Sequence, residues 1–144
     1  VFGAAAFAST ILAAKFYQRY SNRQIWIVGH IVMAVGLLLP VLLPHIATII
    51  AAGLCVGGTF MIVTMTGMKE AHRIAPPPDV MRHIAVMTAA FATGQMLGPL
   101  FASAVYGLTQ SFDLALVITS AALVVTALCL ISRPAPGLAP RRLR

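Results

Sequence analysis

Apolar residues in this chain come in blocks about as long as a bilayer is thick. Lysine and arginine are confined to alternate connections between those blocks and to the C-terminal tail. A helix needs roughly 20 mostly apolar residues to cross a ~30 Å hydrocarbon core. Four full blocks, at about 24–43, 46–67, 84–108 and 114–132, meet that length, and a shortened block occupies 1–17. The pattern predicts an all-α polytopic membrane bundle of about five transmembrane helices, followed by a basic, proline-rich tail at 133–144.

Composition supports this reading. Of 144 residues, 60% are hydrophobic and 9% charged, whereas a soluble domain carries about 25% charged residues. The net charge of +7 does not point to nucleic acid. The basic residues sit in connections and the tail, not in an aromatic-interleaved patch or on a recognition helix. Cys55 and Cys129 both fall inside apolar blocks, without a second ligand at motif spacing. No disulfide, metal site or cofactor is expected. The chain opens at Val1 already inside an apolar block, and residues 1–14 lack the charged start and cleavage site of a signal peptide. The N-terminal part of a longer protein is therefore expected to precede it.

Charge placement predicts orientation. The first connection holds Lys15, Arg19 and Arg23, the third Lys69, Arg73 and Arg82, and the tail Arg133, Arg141, Arg142 and Arg144. The second and fourth connections hold none. By the positive-inside rule the first and third connections and the C-terminus lie in the cytoplasm, which suits a bacterial inner membrane.

The stretch 53–106 carries most of the chemistry. On the third block, Gly53, Gly57, Phe60, Thr64 and Gly67 share one helical face, and Thr48, Cys55, Thr59 and Thr66 share another. The glycine face suits close helix contact. The threonines either line a wet cavity or bond back to their own helix. Lys69, Glu70, His72, Arg73, Asp79 and Arg82 cluster around Pro76, Pro77 and Pro78, which stop a helix. Asp79 suits the cap of the next one. On the fourth block, Thr88, Gln95 and Tyr106 share a face, Gly94 and Gly98 form a small-xxx-small pair, and Pro99 weakens the helix. The fifth block has few polar atoms and reads as lipid-facing. His30, inside the second block, reads as an interfacial or internally satisfied histidine.

This layout resembles the C-terminal half of a major facilitator superfamily transporter, with the blocks as helices eight to twelve. Three areas carry the resemblance. KFYQRYSNRQ stands where the family has G-x-L-A-D-R-x-G-R-R: Arg19 and Arg23 match its basic positions, while Gln18 replaces Asp and Ser21 replaces Gly. Glu70, the prolines and Arg82 are similar to the acid–proline–Arg layout between helices ten and eleven. Gly94-Gln95-x-x-Gly98-Pro99 matches helix eleven. GGTFMIVTMTGMKEAHR followed by MTAAFATGQMLGPL looks most like the YbfB/YjiJ-type branch.

The resemblance implies secondary transport of a small-molecule substrate by alternating access, together with an N-terminal half that is missing here. Blocks three and four would help line the central site, and blocks two and five would lie outside it. Gln95 is the first candidate for the substrate pathway, since a mid-membrane amide is costly without partners or water. The alternative for it is an interhelical bond that only holds the bundle. Thr59, Thr88 and Tyr106 are further pathway candidates. Arg19, Arg23, Glu70, Arg73 and Arg82 are candidates for a cytoplasmic gate. Gly53, Gly57, Gly94, Gly98 and Pro99 are expected to shape helix packing. No carboxylate lies inside a block, so no proton site is expected in this half. Two other functions stand as alternatives. One is a truncated or accessory membrane subunit without independent activity. The other is a membrane-embedded enzyme, for which no H-x-x-x-H or H-E-x-x-H spacing appears.

Overall fold

The computed structural model describes residues 3, 4, 6, 7 and 19–132. Most of the expected first span and the whole tail lie outside them. The described residues form four long α-helices and no strand: α1 (Asn22–Leu42), α2 (Ile46–Ile74), α3 (Val80–Thr109) and α4 (Asp113–Ser132). A 3-10 turn, Pro77–Asp79, leads into α3. All four helices are long and apolar enough to cross a membrane.

Each boundary has a local cause. Ser21 caps α1 in a reciprocal capping box with Gln24, so the position where the resembled motif carries glycine serves here as a helix start. Leu43, Pro44 and His45 turn the chain in three residues, and the His45 side chain accepts from the Ala47 N–H. α2 ends at Ile74, just before the proline run. Gln110 closes α3 in the left-handed conformation, with φ 56°.

α2 runs seven residues past the apolar block that ends at Gly67, through Lys69, Glu70 and Arg73. At ~1.5 Å per residue a helix of this length exceeds the ~30 Å core. Its charged last turns therefore project into the headgroup region. The sequence reading took this segment as loop because charge marks the end of a span, not the end of a helix. α3 likewise starts at Val80, not near 84.

The helices alternate in direction, and α1 is the element that α2 and α4 pack on, each along its own side. Small residues make the approach possible. A Cβ added at Gly29 would lie 2.5 Å from Val63 Cγ2, and one at Gly36 would lie 2.6 Å from Cys55 Cβ. Gly57, Gly67 and Ala71 are buried on α2, and Ala115, Ser120 and Ala127 on α4. The Ser120 hydroxyl donates to the Ala34 carbonyl at 3.0 Å, a buried bond between α4 and α1. α3 differs: none of its residues is buried. It meets α2 through Phe60 and Phe91, with ring centroids 5.4 Å apart, and through Met87, which closes over Gly67.

Candidate functional site

The alternating directions bring the start of α1, the end of α2, the start of α3 and the end of α4 to one end of the bundle. All the described basic residues, Arg19, Arg23, Lys69, Arg73 and Arg82, lie there. Polar contacts tie this end together. The Asn22 amide donates to Glu70 Oε2 at 3.1 Å. Arg73 Nε donates to the same oxygen at 2.9 Å, and its Nη2 pairs with Glu70 Oε1. Arg23 Nη2 donates to the Ile131 carbonyl at 2.8 Å, which sets a cation on the negative end of the α4 dipole. Glu70 lies beyond the apolar stretch of α2. The bonded Arg73 holds its carboxyl below the usual carboxylate range, partial burial opposes this, and Asn22 adds to the lowering.

A cavity of about 550 Å³ opens at the same end, between the starts of α1 and α3 and the last turns of α2. Glu70, Asp79, Arg82 and His83 form its polar side, and Trp26, Ile74, Val86 and Met87 its apolar side. Arg82, like Glu70 a gate candidate, shares the cavity with it. Glu70's ion pair is with Arg73.

The pathway candidates divide. Thr88 and Gln95 lie on the exposed helix α3, and the Thr88 hydroxyl donates to the Ile84 carbonyl of its own helix at 2.9 Å. Tyr106 sits in the last turns of α3 and stacks on Phe112 with ring centroids 4.6 Å apart. Thr59 is not brought to this set. It lines a groove of about 400 Å³ with Gln24, Ile25, Val28 and Val32 of α1, and its hydroxyl donates to the Cys55 carbonyl at 2.7 Å. Thr66 of the same stripe, and Thr64 on the glycine face, also bond back to their own helix.

Among the glycine candidates, Gly57 is buried and Gly53 half-buried. A Cβ at Gly94 or Gly98 would meet nothing within 4 Å among the described residues. The close approaches are instead at Gly29, Gly36 and Gly67. The sequence did carry a signal for the first two, since Gly29 and Gly36 are seven apart on one face of the second block. Asn22 and Ser120 carried none, because a lone polar residue at a span edge, or one serine in an aliphatic run, has no partner until the helices are arranged. His30 is buried, and its Nδ1 lies 2.9 Å from the Trp26 carbonyl one turn earlier, which satisfies it within its own helix.

Four membrane-length helices packed through small residues, with charge gathered at one end, define a polytopic α-helical integral membrane protein. Residues 1–131 match the family described as "Uncharacterised MFS-type transporter YbfB". The chain belongs to this family of membrane transporters. No curated protein and no solved structure matches it.

Proposed function

We propose that this chain supplies helices eight to twelve of a secondary transporter that moves a small solute by alternating access. α3 carries the argument. It holds Gln95 at mid-depth, and none of its residues is buried against the rest of the described chain. A mid-membrane amide on an uncovered helix calls for a protein partner or a water-filled cavity. In a facilitator-type carrier an N-terminal half and the pathway between the halves supply both. Gln95 and Thr88 then face the pathway, with Tyr106 near its outer end. The Glu70, Arg73, Arg23 and Arg82 end faces the cytoplasm of a bacterial inner membrane, and its polar ties re-form as the halves rock. Membership of a transporter family favours this over an enzymatic role.

Cysteine accessibility tests the reading without knowledge of the substrate. Gln95→Cys is made in the full gene product, with Cys55 and Cys129 replaced by serine. A membrane-impermeant thiol reagent should label it in a way that depends on which side the reagent is added and on conformation. No labelling from either side would place Gln95 in a dry interface and remove it from the pathway. Transport of labelled solutes in vesicles, present in the wild type and strongly reduced by Gln95→Leu at equal protein level, separates a carrier from an accessory subunit.

A further inference from the structure

Gln95 lies at the middle of α3, and Pro99 lies one turn further along the same face. In an α-helix the N–H of residue 99 would bond to the carbonyl of residue 95. Proline has no N–H, so the Gln95 carbonyl lacks its helical donor. The Gln95 side chain is exposed and meets no hydrogen-bond partner among the described residues. One position at mid-membrane thus offers two acceptor oxygens and an NH2 group that α3 itself leaves unmet. Polar groups left so in hydrocarbon are costly. The surroundings leave room for a ligand, because Ala92 and Ala102 flank Gln95 on this face. The Thr88 hydroxyl is already committed as a donor to the Ile84 carbonyl, so it does not compete for the two oxygens.

The charge pattern narrows what suits this position. Segments 46–67 and 84–108 contain no Lys, Arg, Asp or Glu. A carboxylate or phosphate held here would face two carbonyl oxygens with no cation from this chain. An ammonium would be desolvated with no carboxylate to meet it. A hydroxyl or carboxamide group instead gives a donor to the oxygens and an acceptor to the NH2, with no buried charge. We propose that Gln95 and Pro99 form one subsite, which binds an uncharged hydroxyl or carboxamide group of the transported solute. The solute's O–H or N–H donates to the carbonyl that Pro99 leaves open, and its oxygen accepts from Gln95 Nε2. This rests on the transporter reading above and adds the class of solute to it.

Equilibrium binding to the full gene product in nanodiscs, read as a thermal shift, tests the assignment. Nicotinamide and mannitol represent the proposed class, succinate and glucose 6-phosphate the anions, and putrescine the cations. Nicotinamide or mannitol should raise the melting temperature, and the charged probes should not. Pro99→Ala returns the missing N–H and closes the carbonyl. It should weaken the bound probe about fivefold or more, the worth of one hydrogen bond, and Gln95→Leu should do the same. A methylated analogue of that probe, without its N–H or O–H, should bind the wild type and Pro99→Ala alike, which a role for Pro99 in bending the helix would not produce. A charged probe that shifts melting as much as the neutral ones would overturn the assignment. So would a panel that gives no shift, and neither result needs a variant to fold. Equal affinity of the parent probe for the wild type and a stably folded Pro99→Ala would overturn it as well. Cysteine labelling at position 95 reads the pathway without any ligand. An accessible Gln95 that prefers anions would therefore sink the solute class and leave the transporter reading standing.

Discussion

The Asn22 side-chain amide donates to Glu70 Oε2 at 3.1 Å, joining the first turn of α1 to the last turns of α2 across 48 residues of sequence. The same carboxylate is held by Arg73, so one acid serves two partners on two helices. Hydrogen bonds to charged groups are worth about 1.5–3 kcal/mol, and partial exposure of this one brings the figure to about 1 kcal/mol. Asn22→Ala should therefore lower thermal stability in nanodiscs modestly. Glu70→Gln should lower it further, because it also removes the ion pair. Unchanged melting for both would show that water replaces these contacts without cost.

The Glu70 carboxyl is held below its ordinary value of 4.5 by Arg73 and Asn22. A depressed carboxylate contributes stability that is fully present above its unfolded value and is lost as pH falls through the folded one. The contact is thus complete at neutral pH and fails only below the ordinary carboxylate range. A melting curve against pH should show an acid-side loss in the wild type that is absent in Glu70→Gln. The same acid slope in both proteins would assign the loss to another group.

Gly36 lies where an added Cβ would be 2.6 Å from Cys55 Cβ. Overpacking of this kind costs about 1–3 kcal/mol. Gly36→Leu should separate α1 from α2 and reduce the yield of folded protein, and Gly29→Leu should do the same through Val63. Normal yield and melting for both would contradict the packing of α1 on α2.

Gly94 meets open space within the described residues. Gly94→Leu should leave the contacts among α1, α2 and α4 intact, and it should hurt the full protein only through a surface that covers α3. Lower yield or transport in the full gene product, with a normally behaved helical bundle, is the expected outcome. A silent substitution would mean that Gly94 faces lipid.

The buried bond from Ser120 to the Ala34 carbonyl joins α4 to α1. Interhelical side-chain bonds in membranes average about 0.6 kcal/mol, and the Ala34 carbonyl is able to keep its own helical bond without the serine. Ser120→Ala should therefore cost no more than about 1 kcal/mol in an unfolding titration. A larger loss would show that this contact sets the register of α4.

Fold class was legible because the bilayer leaves few choices. A run such as 114–132, aliphatic and free of charge, has to be helical to satisfy its backbone in lipid, and charge and proline mark where spans stop. What failed at the boundaries failed for a physical reason. Lys69 to Ile74 stay helical in α2 because a helix loses nothing by carrying charge beyond the hydrocarbon. The candidate site was legible only in part. Arg23, Glu70, Arg73 and Arg82 were singled out from charge, but charge alone did not say that Arg23 would cap α4 at Ile131 or that Asn22 would reach Glu70.

By itself, the sequence determined that the chain spans a membrane as helices and which connections carry the charge, since both follow from local apolarity and hydrogen bonding along one segment. It also placed Thr88, Gln95 and Tyr106 on one face, because helical periodicity is local. Only the tertiary structure decided that Gly29 and Gly36 are the tight contacts and that Ser120 faces Ala34. It also placed Thr59 in a groove with α1. Those outcomes depend on how helices rotate and pack against each other, which no single segment encodes.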